Sequence, residues 1–262
     1  MALPGEDAVQ PARHGELASA EHWEAFHSGR QPRLRLPSPL VIATRNLHQT
    51  LRAYVKPGMD VLEIGFAPGK HLAFVAKDLH ARVAGVDFSE NGVRFARQLF
   101  ETLGLAGDLR CENIFDTTLA DGTFDFVYSV GVIEHFADPR EIARRHVALL
   151  RPGATALILI PNYKGLYGAV QRYFDPANLA IHNLEIMTCD RLQSLAPKDL
   201  LQSCRTFRCG RLDPSQVSLH GKWPRAVARA SHLALTAIGH VQPVQIGVLC
   251  PWLALEMTRA RA

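Results

Sequence analysis

The sequence lacks the features of several large protein classes. No uninterrupted apolar stretch among its 262 residues reaches the roughly 18 residues that a membrane-spanning helix needs, and residues 1–7 show no basic cluster ahead of an apolar stretch. The five cysteines form neither a CxxC pair nor a zinc-like cluster with histidine, so we interpret them as reduced thiols. We therefore expect a cytoplasmic protein without membrane association.

Concentrated charge of one sign is also missing. The formal net charge is +4, and the cations late in the chain are scattered in the manner of a solvated face: Arg205, Arg208, Arg211, Lys222, Arg225 and Arg229. A nucleic-acid-binding surface usually presents a concentrated cationic stripe. We therefore expect no nucleic-acid partner and a small-molecule substrate, which can be acidic. We also expect a monomer or homodimer.

From Met59 onward the sequence alternates short apolar runs with amphipathic helices. This pattern is typical of βαβ units and a parallel sheet. It predicts strands at residues 59–64, 82–86, 109–112, 124–130, 154–160, near 203–209 and near 252–257. Ser38 followed by Pro39 predicts a helix start, Ser89 is expected to cap a helix that stops at Gly104, and residues 151–153 are expected to close the helix before the fifth strand.

The sharpest local signal lies at residues 61–69, which read VLEIGFAPG. An acid at a strand end is followed by small residues at alternate positions, Gly65, Ala67 and Gly69, and then by a helix. Small residues let the backbone turn sharply and let a ligand lie against the main chain, while the helix presents free N–H groups. The spacing differs from the GxGxxG fingerprint of nicotinamide-binding proteins. A tight turn with Glu63 as a surface acid is the alternative interpretation.

A second segment, residues 124–136, reads FDFVYSVGVIEHF. It closely resembles the FDxVxSxxVxEH segment of small-molecule methyltransferases, and residues 61–69 resemble their motif I, E/DxGxGxG, with Ala67 at the middle glycine. Over residues 59–163 the chain thus resembles class I S-adenosylmethionine-dependent methyltransferases, including O-methyltransferases of quinone biosynthesis. The resemblance implies an α/β fold: a Rossmann-like, seven-stranded, mostly parallel sheet with one antiparallel strand and helices on both faces.

The same resemblance implies S-adenosyl-L-methionine as the cofactor and places it at the ends of the first four strands. The Asp87 carboxylate can accept from both ribose hydroxyls, Phe88 can lie against the adenine, and Asn113 can accept from the adenine amino group. A capping role for Asp87 and an ordinary turn role for Asn113 are the alternatives. The full predicted set is Glu63, Gly65, Ala67, Gly69, Asp87, Phe88, Asn113, Ile114, Ser129 and Val130.

The candidate catalytic residues are Glu134 and His135, which would flank the methyl acceptor. Methyl transfer to a hydroxyl needs the acceptor oxygen deprotonated, and a histidine near neutrality can take that proton. A structural histidine bound to a neighbouring loop is the alternative. Quinone-biosynthesis relatives carry an ExxEH pattern associated with a divalent metal, but Gly131 occupies the earlier acidic position in this chain. We therefore expect no metal.

Substrate contacts are predicted outside the matching segment. Residues 1–37 should form a tail and a helix that partly cover the active site, and residues 38–262 should form the catalytic domain with a lid insertion at about 162–190. Aromatic residues and one histidine of these parts can line an acceptor pocket or simply pack the lid: Trp23, Tyr163, Tyr167, Tyr173 and His182.

The sequence thus predicts methyl transfer to a small molecule, with oxygen as the expected acceptor and nitrogen as an open alternative. Two further alternatives are a methyltransferase acting on RNA or protein and a non-catalytic relative that binds the cofactor to regulate a partner. The acceptor itself is not predicted.

Overall fold

The computed structural model describes residues 15–28, 33–219 and 222–261; the rest of the predicted amino-terminal tail lies outside this set. These residues form seven strands: β1 (Asp60–Ile64), β2 (Arg82–Asp87), β3 (Asp108–Cys111), β4 (Phe124–Val130), β5 (Leu150–Pro161), β6 (Leu201–Cys209) and β7 (Trp252–Arg259). The helices are α1 (Ala20–Ser28), α2 (Ile42–Tyr54), α3 (Lys70–Asp78), α4 (Glu90–Thr102), α5 (Arg140–Ala148), α6 (Leu166–Phe174), α7 (Pro176–Ala180), α8 (Cys189–Gln193) and α9 (Arg225–Val241). Within the described ranges, none of these helices is both long and apolar enough to cross a bilayer.

The strands form one sheet in the order β3-β2-β1-β4-β5-β7-β6. Strands β1 to β5 pair in parallel, and β7 runs antiparallel to both β5 and β6. The strand order reverses between β1 and β4, so the loops after these strands diverge and leave a crevice at their carboxyl ends, where ligands bind in open α/β sheets. The predicted fold, including its antiparallel strand, is confirmed.

Alternating strand residues supply two separate cores, because successive side chains of a strand point to opposite faces. Val61 packs with residues of α2, α3 and α4 on one face, whereas its neighbour Leu62 packs with α5 and with helices α6 to α8 on the other. Both side chains are 0% exposed. The helices on both faces therefore follow from the continuous apolar strands.

Helix boundaries agree with the sequence where a side chain caps the helix. Ser89 Oγ accepts the N–H of Gly92 at 3.0 Å, as predicted for the start of α4. The predicted start at Ser38 and Pro39 is wrong, since Ser38 instead closes a turn by accepting the N–H of Val41 and α2 begins at Ile42. In this case the proline opens a turn before the helix.

The predicted stop at residues 151–153 is also wrong, because these residues lie inside β5. Leu150 pairs with Phe124, and a shift in register between Phe124 and Phe126 accommodates Pro152 and Gly153. The Arg151 guanidinium binds the carboxylates of Asp60 and Asp125 on neighbouring strands. Long-range pairing therefore extends the strand backward through residues that resemble a helix terminator.

One carboxylic acid lies inside the sheet. Glu63 of β1 is 3% exposed and accepts the hydroxyl of Tyr128 on β4 at 2.8 Å. Burial raises the pKa of Glu63 to about 8, and the charge of Asp87 adds to the shift. At neutral pH this side chain is therefore largely protonated in the folded protein.

Gly69, at the amino terminus of α3, has a φ of +84°, and a Cβ there would lie 2.7 Å from the Cβ of Ala96 on α4. Gly58 has a φ of +80° with nothing within 4 Å of a Cβ, so it is a matched control for backbone strain alone. Gly58→Ala should lower the free energy of unfolding by about 1–2 kcal/mol. Gly69→Ala should lower it by about 1–3 kcal/mol more, because the added methyl overpacks the helix contact. Equal losses in urea titrations would contradict the close-contact explanation.

Glu63→Gln should change how stability depends on pH. In the folded state the pKa is raised from 4.5 to about 8, so between these values the folded chain holds a proton that the unfolded chain has lost, and stability falls as pH rises. Glutamine does not titrate. The stability of Glu63→Gln relative to the parent should therefore increase by up to about 1.4 kcal/mol per pH unit between pH 5 and 8. The control Glu101→Gln removes an exposed carboxyl group of α4. A pH dependence of Glu63→Gln in urea titrations no greater than that of this control would refute the buried-acid assignment.

Candidate functional site

A cavity of about 230 Å³ lies at the carboxyl ends of β1, β2 and β4. Its floor is formed by strand ends and the turns that follow them, and its roof by α1. Seven of the ten predicted cofactor residues line this cavity: Gly65, Ala67, Asp87, Phe88, Asn113, Ile114 and Val130. The crevice predicted from the strand order is therefore a formed pocket.

Gly65 shapes the end of the pocket nearest β1. Its φ is +71°, and a Cβ at this position would lie 2.5 Å from Cγ2 of Val132, which is closer than two carbons can approach. Only glycine fits here without displacing the Val132 side chain. The small residue of the motif thus keeps the two turns close together while the main chain faces the cavity.

Asp87 occupies the tip of β2 with its carboxylate fixed by two backbone groups. Oδ2 accepts the N–H of Ala67 at 3.1 Å and Oδ1 accepts the N–H of Ser89 at 2.9 Å. Burial raises the pKa of Asp87, while these two bonds and the nearby His27 act in the opposite direction. Each oxygen keeps lone-pair capacity for a further donor, so the carboxylate is oriented for a ligand with paired hydroxyls.

Phe88 and Asn113 flank Asp87 at the rim. Phe88 is 41% exposed although it is a large apolar side chain that lines the cavity. Asn113 Oδ1 accepts the N–H of Phe115 at 3.0 Å, which is the turn role considered as the alternative. The exposed ring is therefore available to stack on a planar ligand, whereas the Asn113 oxygen already has one partner.

Three predicted cofactor residues lie outside the cavity. Glu63 points into the core toward Tyr128, and Gly69 serves the contact between α3 and α4. Ser129 is fully buried, and its hydroxyl lies 2.9 Å from Nε2 of His146, whose other ring nitrogen donates to the carbonyl of Ile142. Burial lowers the pKa of His146 to about 4, so its neutral Nε2 accepts from Ser129.

His135 lines the cavity with one ring nitrogen already engaged. Nδ1 lies 2.8 Å from the carbonyl oxygen of Ile181, and because a carbonyl only accepts, Nδ1 carries the proton. Nε2 has no hydrogen-bond partner within the part of the chain that the structure describes. Burial, reinforced by His182, lowers the pKa of His135 to about 4. A phenolic hydroxyl has a pKa of about 10, so direct proton transfer to this imidazole is uphill by roughly 8 kcal/mol. The geometry suits a hydrogen bond from the acceptor, whereas the pKa opposes full proton removal.

Glu134 lies behind the cavity wall. Its side chain is 0% exposed, and neither carboxylate oxygen has a hydrogen-bond partner among the described residues. Burial raises its pKa to about 8. The structure therefore separates the two predicted catalytic residues, with His135 at the cavity and Glu134 beneath it.

The predicted substrate residues divide in the same way. Trp23 lines the cavity, and its ring meets that of His135 edge to face at 4.8 Å. The hydroxyls of Tyr163 and Tyr167 donate to the carbonyls of Gln216 and Leu249, each at 2.9 Å, outside the cavity. These two tyrosines pack the insertion.

His182 and Tyr173 also lie away from the cavity wall. The His182 ring lies behind His135, with the ring centroids 4.6 Å apart and the ring planes tilted by 53°. Tyr173 is 59% exposed, with the Lys222 ammonium 4.1 Å from its ring centroid. The insertion thus supports His135 from behind and leaves the lining of the cavity to other segments.

Two of the cavity residues that the sequence patterns miss come from α1. Phe26 and His27 line the roof beside Trp23. The Glu24 carboxylate accepts the backbone N–H groups of Glu90 and Asn91 at the amino terminus of α4, where a negative charge is favoured. The N–H of Leu17 also binds the carbonyl of His135 at 2.7 Å. The sequence shows Glu24 as an acidic residue, but no neighbouring residue in the sequence indicates that it binds the amino terminus of α4.

Comparison with known proteins agrees with this geometry. Residues 62–158 match the family model described as a methyltransferase domain. The chain is similar to an O-methyltransferase of Pyrenophora dematioidea, with 26% identity over 198 residues, 71% of this chain and 73% of that protein. It is also similar to a ubiquinone biosynthesis O-methyltransferase of Methylobacterium sp. (strain 4-46), with 28% identity over 192 residues, 69% of this chain and 72% of that protein.

Other relatives, with 32–35% identity, align over only 104 to 113 residues and 21–39% of their own lengths. Among solved structures, Haemonchus contortus phosphoethanolamine N-methyltransferase 2 in complex with phosphomonomethylethanolamine and S-adenosylhomocysteine superposes with a TM-score of 0.54 at 16% identity, covering 83% of this chain and 52% of that one. At this identity the likeness concerns the fold. The matched family model and the relatives show that residues 62–158 form a methyltransferase domain, and the chain has the fold of S-adenosylmethionine-dependent methyltransferases.

Proposed function

We propose that this chain methylates a hydroxyl oxygen of a small molecule. The observation that carries the proposal is the free Nε2 of His135 at the wall of a roofed cavity, where it can accept a hydrogen bond from an acceptor hydroxyl. A small, largely apolar cavity under α1 suits a compact acceptor better than a macromolecule. The similarity to two O-methyltransferases supports oxygen as the acceptor atom.

The cofactor would lie across the carboxyl ends of β1 and β2. The Asp87 carboxylate would accept from the ribose hydroxyls, and Phe88 would stack on the adenine beside Asn113 and Ile114. The glycine backbone at Gly65, together with Val130, would leave room for the methionine arm. When bound, the cofactor supplies an electrophilic methyl group on a sulfonium centre.

The chain's own contribution would be mainly placement. Trp23 and Phe26 from α1 and Phe136 after β4 surround the space in front of His135 and would exclude water from it. A hydrogen bond from the acceptor hydroxyl to Nε2 of His135 would direct an oxygen lone pair. These side chains form no covalent bond to the substrate. Because His135 is a weak base, removal of the proton from the acceptor hydroxyl is the step that these side chains promote least.

The low pKa of His135 favours a second candidate, an amine acceptor, because a neutral amine can be methylated without a base. A relative 35% identical over 107 residues is phosphoethanolamine N-methyltransferase 3 of Arabidopsis thaliana. Phenols, hydroxy acids and amines, assayed side by side by release of S-adenosylhomocysteine, distinguish the two candidates. Cofactor binding without turnover of any acceptor, including RNA and protein, would favour a regulatory role.

Asp87→Asn should weaken binding of S-adenosylhomocysteine by at least about tenfold, since it removes a charge-assisted acceptor for the ribose hydroxyls. Isothermal titration calorimetry measures the affinity, and the melting temperature of the free protein checks that the variant folds. Asp116→Asn is the control, because Asp116 has the same side chain at the same edge of the sheet but is exposed and outside the cavity. Equal affinities for the two variants would remove the ribose assignment.

His135→Ala should lower turnover of the best acceptor by about 10²-fold or more, with little change in affinity for S-adenosylhomocysteine. His22→Ala, which removes an exposed histidine of the covering helix, should retain turnover. Initial rates at saturating cofactor provide the comparison. Undiminished turnover in His135→Ala would show that this imidazole does not contact the acceptor.

A further inference from the structure

Behind the cavity wall, three side chains bring their donor atoms together. Atoms of Glu134, His135 and His182 lie within 4.8 Å of one another. Both carboxylate oxygens of Glu134 are buried and lack a hydrogen-bond partner among the described residues. Leaving buried oxygens without a partner costs free energy, so the arrangement is incomplete without a further group that can satisfy them.

The two histidines are oriented in the way that suits metal binding. Nδ1 of His182 lies 2.6 Å from the carbonyl oxygen of Asn178, just as Nδ1 of His135 lies 2.8 Å from that of Ile181. Each Nδ1 therefore carries the proton, which leaves the lone pair on each Nε2. Metal-binding histidines are typically held by such a backbone bond on the other ring nitrogen.

Backbone bonds fix the insertion against the turn that carries Glu134. The N–H of Asn183 donates to the carbonyl of Glu134 at 2.6 Å, and its side-chain amide donates to the carbonyls of Phe136 and Ala137, each at 3.1 Å. Ile181, which orients His135, is the residue before His182. One short segment thus positions both imidazoles relative to the carboxylate.

Gly131, which occupies the earlier acidic position of the ExxEH pattern, lies beside the Glu134 carboxylate. A Cβ at Gly131 would lie 3.6 Å from Oε1 of Glu134, so a side chain at this position would reach the carboxylate directly. Glycine leaves that space open. In the folded chain His182 is the third side chain beside Glu134 and His135, and no spacing pattern around residue 134 reveals it.

We propose that Glu134, His135 and His182 bind one divalent transition-metal cation, with His182 supplied by the insertion. Two imidazoles and one carboxylate favour a cation such as Zn²⁺ over Mg²⁺, which prefers oxygen ligands. Zinc bonds of about 2.0–2.1 Å put donors about 3.3 Å apart, so the side chains need only close modestly around the ion. Three protein ligands leave a coordination position open, as catalytic zinc sites do.

The consequence for catalysis rests on the proposed function. With the cation bound, Nε2 of His135 would be a ligand and could not also accept a hydrogen bond, so the acceptor hydroxyl would bind the cation at the open position in place of the imidazole. A hydroxyl held there would have a lowered pKa and would release its proton to water near neutrality. The resulting oxygen would form its bond to the methyl carbon as the carbon–sulfur bond breaks, leaving the cofactor as its neutral thioether. This supplies the deprotonation that the His135 imidazole alone provides poorly.

The test is a titration of metal-free, untagged full-length protein with Zn²⁺ by calorimetry and with Co²⁺ by visible absorption. The parent should bind one equivalent, and Co²⁺ should give d–d bands typical of nitrogen and oxygen ligands. His182→Ala and Glu134→Gln should each weaken binding at least about tenfold. His80→Ala, which removes an exposed histidine elsewhere, should bind as the parent does.

Absence of a stoichiometric site in the parent would overturn the proposal without any reference to the variants. Unchanged metal affinity in His182→Ala, with a melting curve that shows it folded, would overturn the assignment of the third ligand. Parallel titrations with S-adenosylhomocysteine separate this proposal from the proposed function. A protein that binds the nucleoside but no metal retains the proposed function and loses the cation site, and the reverse outcome retains the site and loses the function.

Discussion

The Asp87 carboxylate holds together the two turns on which the site depends. It accepts one N–H from the turn after β1 and one from the turn after β2, so the small-residue motif and the second strand share a single anchor. Gly65 lets the first of these turns pack directly against the Val132 side chain of the turn after β4. The crevice created by the reversal of strand order becomes a defined pocket because of these two local constraints.

Helix α1 and the insertion between β5 and β6 contribute to the pocket in different ways. Helix α1 supplies the roof and is held by the Glu24 carboxylate at the amino terminus of α4, an attachment that is electrostatic and partly exposed. The insertion between β5 and β6 is bound from behind, through Asn183, to the turn that carries Glu134 and His135. A ligand would therefore contact α1, whereas the insertion would act through the orientation of His135.

The sequence predicted those parts of the fold that depend on neighbouring residues. Strand β4 has the predicted bounds, and the cap at Ser89 is present, because each follows from local apolar pattern or a side chain within three residues. The glycine and the acid that end β1 and β2 lie in the pocket because the carboxyl ends of parallel strands meet at one edge. Where pairing across the sheet competes with a local stop signal, as at residues 151–153, the prediction failed.

Side-chain direction was harder to predict than position. Glu63 and Ser129 lie at the correct strand ends but face the core, where Tyr128 and His146 provide the partners that a buried polar group requires. Tyr163 and Tyr167 were expected in the pocket, yet their hydroxyls bind backbone carbonyls of distant segments. The convergence of His182 with Glu134 likewise depends on contacts between segments that no local pattern encodes.

The proposed methyl transfer requires adenosine to lie across the ends of β1 and β2. A crystal structure with S-adenosylhomocysteine bound tests this directly. We expect the ribose hydroxyls within hydrogen-bonding distance of the Asp87 carboxylate, the adenine against Phe88, and the sulfur on the side of the cavity that faces His135. Nucleoside density at another surface, with Asp87 still bound only by Ala67 and Ser89, would contradict the proposed site.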